Sequence, residues 1–269
     1  MTSATIIDAL YCIARKAQVT QVSECVAFQE DLTPAMDASG IAGAVLAHGN
    51  CWQCQHQWNC ADRRTHEIVS AVERKPGKLR GLASYDALRV GESLRWIDEA
   101  VGEGGVSGAY ADAECSINGL DAPRMYPLYG LCAKLRMPVV LGFHSAERWA
   151  QHLSQVEVLA ADLPDLDVLL APPQEAEAAS ILRLMRRYPR ISFLLCPEEL
   201  QADAGLCDYI EMQGRERALF RSGGKGWAAA VEKALGLPLS PAALRAYLSE
   251  NATRVYGFPV GVASLQMKS

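Results

Sequence analysis

The segment HGNCWQCQHQWNC, residues 48–60, concentrates the groups best suited to hold a metal ion. Cys51 and Cys54 form a C-x-x-C pair, a spacing that closes well around a tetrahedral ion, and Cys60 with His56 would complete a structural zinc site. His48 stands just ahead of this cluster. The same pair admits a redox reading, because thiols in such a motif can have a lowered pKa. The plainer alternative is a long loop whose thiols are incidental and whose Trp52 and Trp58 cover or line a pocket.

A second set of chemistry-bearing residues is scattered. His144 closes the apolar run MPVVLGFHS, where a neutral imidazole could act as a general base without a metal, or could simply be hydrogen-bonded in a loop. Cys12 could be a nucleophile if His144 or Lys225 lowered its pKa, or a small buried residue. Asp112 and Glu114 form a carboxylate pair suited to acid–base work or cation binding, or to an ordinary loop. Lys225 lies in the glycine-rich RSGGKGW, where exposed backbone N–H groups and an ammonium would suit a carboxylate or phosphate, though a simple mobile turn is the plainer account.

The elements that must position these groups are legible as apolar runs bounded by turn residues. Strands are expected at 4–11, 40–48, 78–86, 105–113, 137–145, 166–173, 191–198 and 217–223. The runs are nearly continuous rather than alternating, which is the pattern of parallel strands buried on both faces. Helical periodicity fills the gaps, as at 65–75 and 93–104, and Ser240 before Pro241 marks the start of a terminal helix over 241–258. Strands alternating with helices predict a (β/α)8 TIM barrel over residues 1–269. An open doubly wound sheet is the alternative, but no G-x-G-x-x-G follows the first strand and there is no Walker-A lysine.

A barrel builds its site from the C-terminal ends of its strands. That mouth would collect Asp8, Cys12, His48, Tyr85, Asp86, Asp112, Glu114, His144, Cys196, Glu198, Ser222 and Lys225. Among these, His144, Asp8, Cys12 and Asp112 are the candidate catalytic residues, and Lys225, Tyr85, Ser222 and His48 the candidate substrate contacts.

A net charge of −5 leaves no basic footprint for nucleic acid. No stretch reaches the roughly 18 apolar residues of a membrane span. The opening MTSATIIDALYCIARK lacks the form of a signal peptide, so a cytoplasmic location is expected, with the nine cysteines largely unpaired. Homodimerisation is expected on the general frequency of such assemblies.

Four phrases, in order, carry a family resemblance. They are HEIVSAVERKPGKLRGLASYDA (66–87), GGVSGAYADAECSINGLDAPRMYPLYGLCAKLRMPVV (104–140), GRERALFRSGG (214–224) and SENATRVYGF (249–258). The chain resembles the amidohydrolase-related family, in the branch of aminocarboxymuconate-semialdehyde decarboxylase-like enzymes. The resemblance implies a divalent metal at the mouth, held by a His-x-His on strand one, single histidines on strands five and six, and an aspartate after strand eight. This sequence departs from that pattern: Leu10 and Cys12 take the paired-histidine positions, Gly142 the strand-five position, Pro172 the strand-six position and Gly223 the aspartate position. His144 stands two residues beyond Gly142 and points to the same side.

The expectation is therefore an atypical or metal-independent hydrolase or lyase acting on a small carboxylated, lactone or cyclic amide substrate, with no cofactor at the mouth. Two alternatives stay open. One is an inactive pseudoenzyme serving as a binding or scaffold subunit. The other is a structural or redox metal, zinc foremost, in the loop of Cys51, Cys54, His56 and Cys60.

Overall fold

The computed structural model describes residues 5–13, 31–48, 60–113, 119–223 and 226–259, with backbone alone at 13 and 60–64. The chain is a parallel (β/α)8 TIM barrel. Its strands are β1 Ile7–Ile13, β2 Gly43–His48, β3 Leu79–Gly81, β4 Ala83–Ser84, β5 Ala109–Asp112, β6 Val139–Gly142, β7 Val168–Ala171, β8 Ile191–Leu195 and β9 Ala218–Phe220. The helices are α1 Thr33–Ala38, α2 Cys60–Arg74, α3 Val90–Gly102, α4 Tyr126–Leu135, α5 Ala146–Asp162, α6 Ala178–Arg187, α7 Pro197–Ala202, α8 Ala204–Tyr209, α9 Trp227–Leu235, α10 Pro241–Arg245 and α11 Asn251–Tyr256. All strand pairs are parallel, in two arcs, β1-β2-β3 and β4 through β9.

The expected third strand, 78–86, is thus two pieces of one stave. Gly81 explains the break. A Cβ there would strike the Ile68 side chain of α2 and come 2.8 Å from the Gly105 carbonyl, so the backbone is pressed close to its neighbours. Beyond it, Leu82 N still donates to Leu46 O at 2.9 Å, while Ala83 turns to Gly108.

Alternation sorts the strand residues into two cores. Ala44, Leu46, Val139, Leu141, Val168, Leu170, Phe193 and Phe220 face the helices and pack with Ile68, Ile97, Leu128, Trp149, Leu159 and Ile181. Ile7, Ala9, Val45, Ala47, Leu82, Tyr110, Val140, Leu169, Ala171, Leu194 and Leu219 fill the barrel interior, joined by Tyr256 and Phe258. Ser240 caps α10 as its position predicts, its Oγ accepting from Ala243 N at 3.3 Å. The terminal helix is continued by a π turn, Ala246–Glu250, before α11 ends at Gly257, whose φ of 68° is left-handed.

The first strand carries an irregularity. Asp8 pairs with Ala44 but Tyr11 pairs with Leu46, so β1 holds one residue more than β2 over this stretch. Such a bulge shifts the side-chain alternation. Ala9 and Leu10 both join the interior core, with Cys12 at its margin.

Among the described residues, no helix is long and apolar enough to cross a membrane.

Candidate active site

Asp112 is the last residue of β5, and Gly142, the last of β6, is its partner in register. Two residues further, His144 reaches back: its Nε2 donates to Asp112 Oδ2 at 2.7 Å. The Asp112 side chain is wholly buried, whereas that of His144 is 45% exposed. A buried acceptor thus orients an imidazole that meets solvent. Because an ionised carboxylate can only accept, the neutral imidazole carries its proton on Nε2 and its lone pair on Nδ1.

Asp8 lies at a different place. Its carboxylate accepts from Leu10 N at 3.3 Å, Ser222 N at 3.2 Å, Ser222 Oγ at 2.6 Å and Trp227 Nε1 at 2.7 Å. It is fully buried and bridges β1 to the residues after β9 and to the start of α9. No strand ladder joins β9 to β1 among the described residues, so Asp8 and Ser222 stitch the barrel's seam. Burial raises the Asp8 pKa, against four hydrogen bonds that lower it. The bulge after Asp8 is what parts it from Cys12.

Cys12 sits partly buried at the mouth, hydrogen-bonded with Tyr110. Burial pushes its thiol up to about 11, against the attraction of Arg221. The thiolate required for the nucleophile reading is therefore disfavoured near neutrality. Cys196 is buried, and burial pushes its thiol up to about 12.

The candidate substrate contacts are mostly engaged in the scaffold. Tyr85 is buried, its hydroxyl donates to the Arg124 carbonyl, and burial pushes that hydroxyl up to about 12. Ser222 is spent on Asp8. His48, at the end of β2, is buried, and its Nε2 donates to Glu67 Oε2 of α2 at 2.8 Å. Of the remaining mouth residues, Glu198 pairs with Lys233 at 2.6 Å, and Asp86 accepts from Leu88 N at 2.9 Å in a turn. Lys225, Glu114, Cys51, Cys54 and His56 lie outside the described residues, and Cys60 opens α2 with its side chain outside them.

Two residues at the mouth escaped sequence reasoning. Arg221 follows β9 and is nearly buried, donating through Nη2 to the Pro172 carbonyl and to Glu199 Oε1 at 2.7 Å. Glu199, in α7, also accepts from Cys196 N at 2.6 Å. Burial raises the Glu199 pKa, opposed by the Arg221 guanidinium. Tyr110 is the other. Strand alternation gave the signal for both: Arg221 is two residues past inward Leu219, and Tyr110 two before Asp112.

The positions where the family pattern expects metal ligands are occupied as follows. A Cβ on Gly142 would collide with the Tyr110 hydroxyl and come 2.9 Å from Tyr110 Cζ. A Cβ on Gly223, whose φ is 66°, would lie 2.5 Å from Cys196 Sγ. Leu10 is buried in the apolar interior. On β7 the last inward residue is Ala171, with Pro172 just beyond the strand. Among the described residues, no group of three or more His, Cys, Asp or Glu side chains could hold a metal ion.

Comparison with known proteins gives a family match over most of the chain. A family model described as amidohydrolase (Amidohydro_2) matches residues 20–258. No curated protein matches the chain. Several solved structures share the fold. The 5-carboxyvanillate decarboxylase of Novosphingobium aromaticivorans, complexed with manganese and 4-hydroxy-3-methoxy-5-nitrobenzoic acid, superposes with a TM-score of 0.75 at 14% identity, covering 94% of this chain and 96% of that one. The 2,6-dihydroxybenzoate decarboxylase from Rhizobium gives 0.71 at 16% identity, covering 96% and 99%. A Pseudomonas putida protein assigned as a 2-pyrone-4,6-dicarboxylic acid hydrolase gives 0.63 at 18% identity, covering 96% and 98%.

Proposed function

This chain belongs to the amidohydrolase family, and from that premise we propose that it is a hydrolase of a small carboxylated lactone or cyclic amide, with His144 as its general base and no divalent metal. The observation that carries this reading is the 2.7 Å bond between exposed His144 and buried Asp112. The residues at the mouth do not fit a divalent ion bound in the family's pattern. Gly142 and Gly223 are closed to side chains by Tyr110 and Cys196, and Leu10 is apolar.

In the proposed reaction, His144 Nδ1 takes a proton from water as the water oxygen attacks the acyl carbon. The ring C–O or C–N bond then breaks, and the imidazolium returns the proton to the departing ring heteroatom. Asp112 holds the tautomer and stabilises the imidazolium that forms. Asp8 and Ser222 act as framework, keeping the barrel closed beneath the site.

The choice of substrate is supported by the solved structures of like fold, whose names specify carboxylated aromatic acids and a pyrone dicarboxylate. The test is turnover of a panel of pyrone carboxylates and carboxylated cyclic amides by chelator-treated protein, compared with His144→Ala. Turnover that survives chelation and is lost in the variant supports the reading. Turnover that is indifferent to His144 removes it.

A further inference from the structure

We infer that the Arg221 guanidinium, fixed at the barrel mouth, receives the substrate's carboxylate through its aimed N–H donors. The inference rests on the proposed function only for the class of substrate.

Alternation from Leu219 turns Arg221 toward the barrel interior at its C-terminal end. The guanidinium is fixed from two other staves, by the Pro172 carbonyl beyond β7 and by Glu199 beyond β8. Glu199 is itself held by Cys196 N at 2.6 Å. Arg221 follows β9, and its charge is felt by Cys12 near the end of β1 and by Cys196 just after β8. β7 is the neighbour of β6, so Arg221 reaches toward the stave that carries His144.

This anchoring uses Nη2. The Nε is buried and has no hydrogen-bond partner among the described residues, while the side chain keeps 13% exposure. A buried N–H donor without an acceptor is unfavourable until an anion or water supplies one. The planar fork of arginine donors matches a carboxylate, which a point-charge ammonium does not. Glu199 balances the charge when no ligand is bound, so the gain on binding comes from aimed donors rather than from net charge. The arrangement also opposes a metal, since a divalent ion at this place would meet the guanidinium.

The test is isothermal titration of metal-stripped protein with benzoate, isophthalate and 2,6-dihydroxybenzoate. It compares wild type, Arg221→Lys and the double variant Arg221→Met/Glu199→Gln, which removes both charges together and strands neither. At least one acid is expected to bind the wild type one to one without metal. Its affinity should fall ~10-fold or more in Arg221→Lys, which keeps the charge and loses the fork, and binding should vanish in the double variant with its far-UV circular dichroism intact. Affinity unchanged in Arg221→Lys, binding that needs added Mn2+ or Zn2+, or no binding by any of the three acids overturns the inference. These are equilibrium affinities and leave the general base untested. Turnover indifferent to His144→Ala would defeat that assignment while an Arg221-dependent affinity stood.

Discussion

The Tyr110 hydroxyl fills the space that a side chain on Gly142 would need. The two residues sit on adjacent paired strands, with Tyr110 opposite Val140 and two residues behind the Asp112–Gly142 pair. Any residue larger than glycine at 142 must therefore displace a buried tyrosine that is hydrogen-bonded with Cys12. Gly142→Ala is expected to destabilise the protein by ~1–3 kcal/mol, the usual cost of overpacking a filled core. Tyr110→Phe should restore part of that loss, because it removes the hydroxyl oxygen but leaves Cζ, 2.9 Å from the added Cβ. Urea unfolding of the single and double variants gives the coupling directly. Additive effects would show that the two positions do not share this space.

Asp8 links stability to pH. Its folded pKa lies above the ordinary aspartate value because burial outweighs its four hydrogen bonds. A carboxyl raised in this way contributes its stability in full below the ordinary value and loses it as pH rises through the folded pKa. The Asp8 contribution therefore declines with rising pH in the wild type and is absent from Asp8→Asn. The variant starts less stable, by ~1–3 kcal/mol for each donor left facing an amide N–H, since Ser222 Oγ and Trp227 Nε1 converge on one carboxylate oxygen. Its deficit should narrow as pH is raised above the ordinary aspartate range. Melting temperatures of both proteins across that window check the sign, and a deficit that widens would be the opposite result.

Glu199 pairs with the Arg221 guanidinium at 2.7 Å and is almost fully buried. Glu199→Gln leaves the cation buried without its counter-charge. Breaking such a pair from one side costs ~3–5 kcal/mol. Removing both partners, as in Arg221→Met/Glu199→Gln, is expected to cost less than Glu199→Gln alone. Chemical denaturation of the two variants distinguishes a true ion pair from a chance contact.

The barrel was legible because its strands are buried on both faces and read as continuous apolar runs, as in VVLG of β6 and ISFLL of β8. The break at Gly81 was not legible, because it arises from close approach to Ile68 and Gly105, residues distant from it in the chain. The bulge in β1 was hidden for a similar reason. Its effect, turning Asp8 to the seam and Cys12 to the mouth, depends on the register with β2. Asp112 and His144 each stood out at a strand end, but their bond depends on the pairing of Asp112 with Gly142. Alternation from Leu219 turns Arg221 of ALFRSGG inward, but its anchoring was not legible, because its partners Pro172 and Glu199 come from other staves.

A metal-independent site built on His144 and oriented by Asp112 is tested most directly by one measurement. Chelator-treated wild type, with metal content determined by elemental analysis, is assayed beside His144→Ala on pyrone carboxylates and carboxylated cyclic amides. Wild-type turnover at sub-stoichiometric metal, reduced ~10²–10⁴-fold in His144→Ala with the fold retained, is the expected result. Turnover that appears only when Mn2+ or Zn2+ is restored, or that persists in His144→Ala, would contradict it.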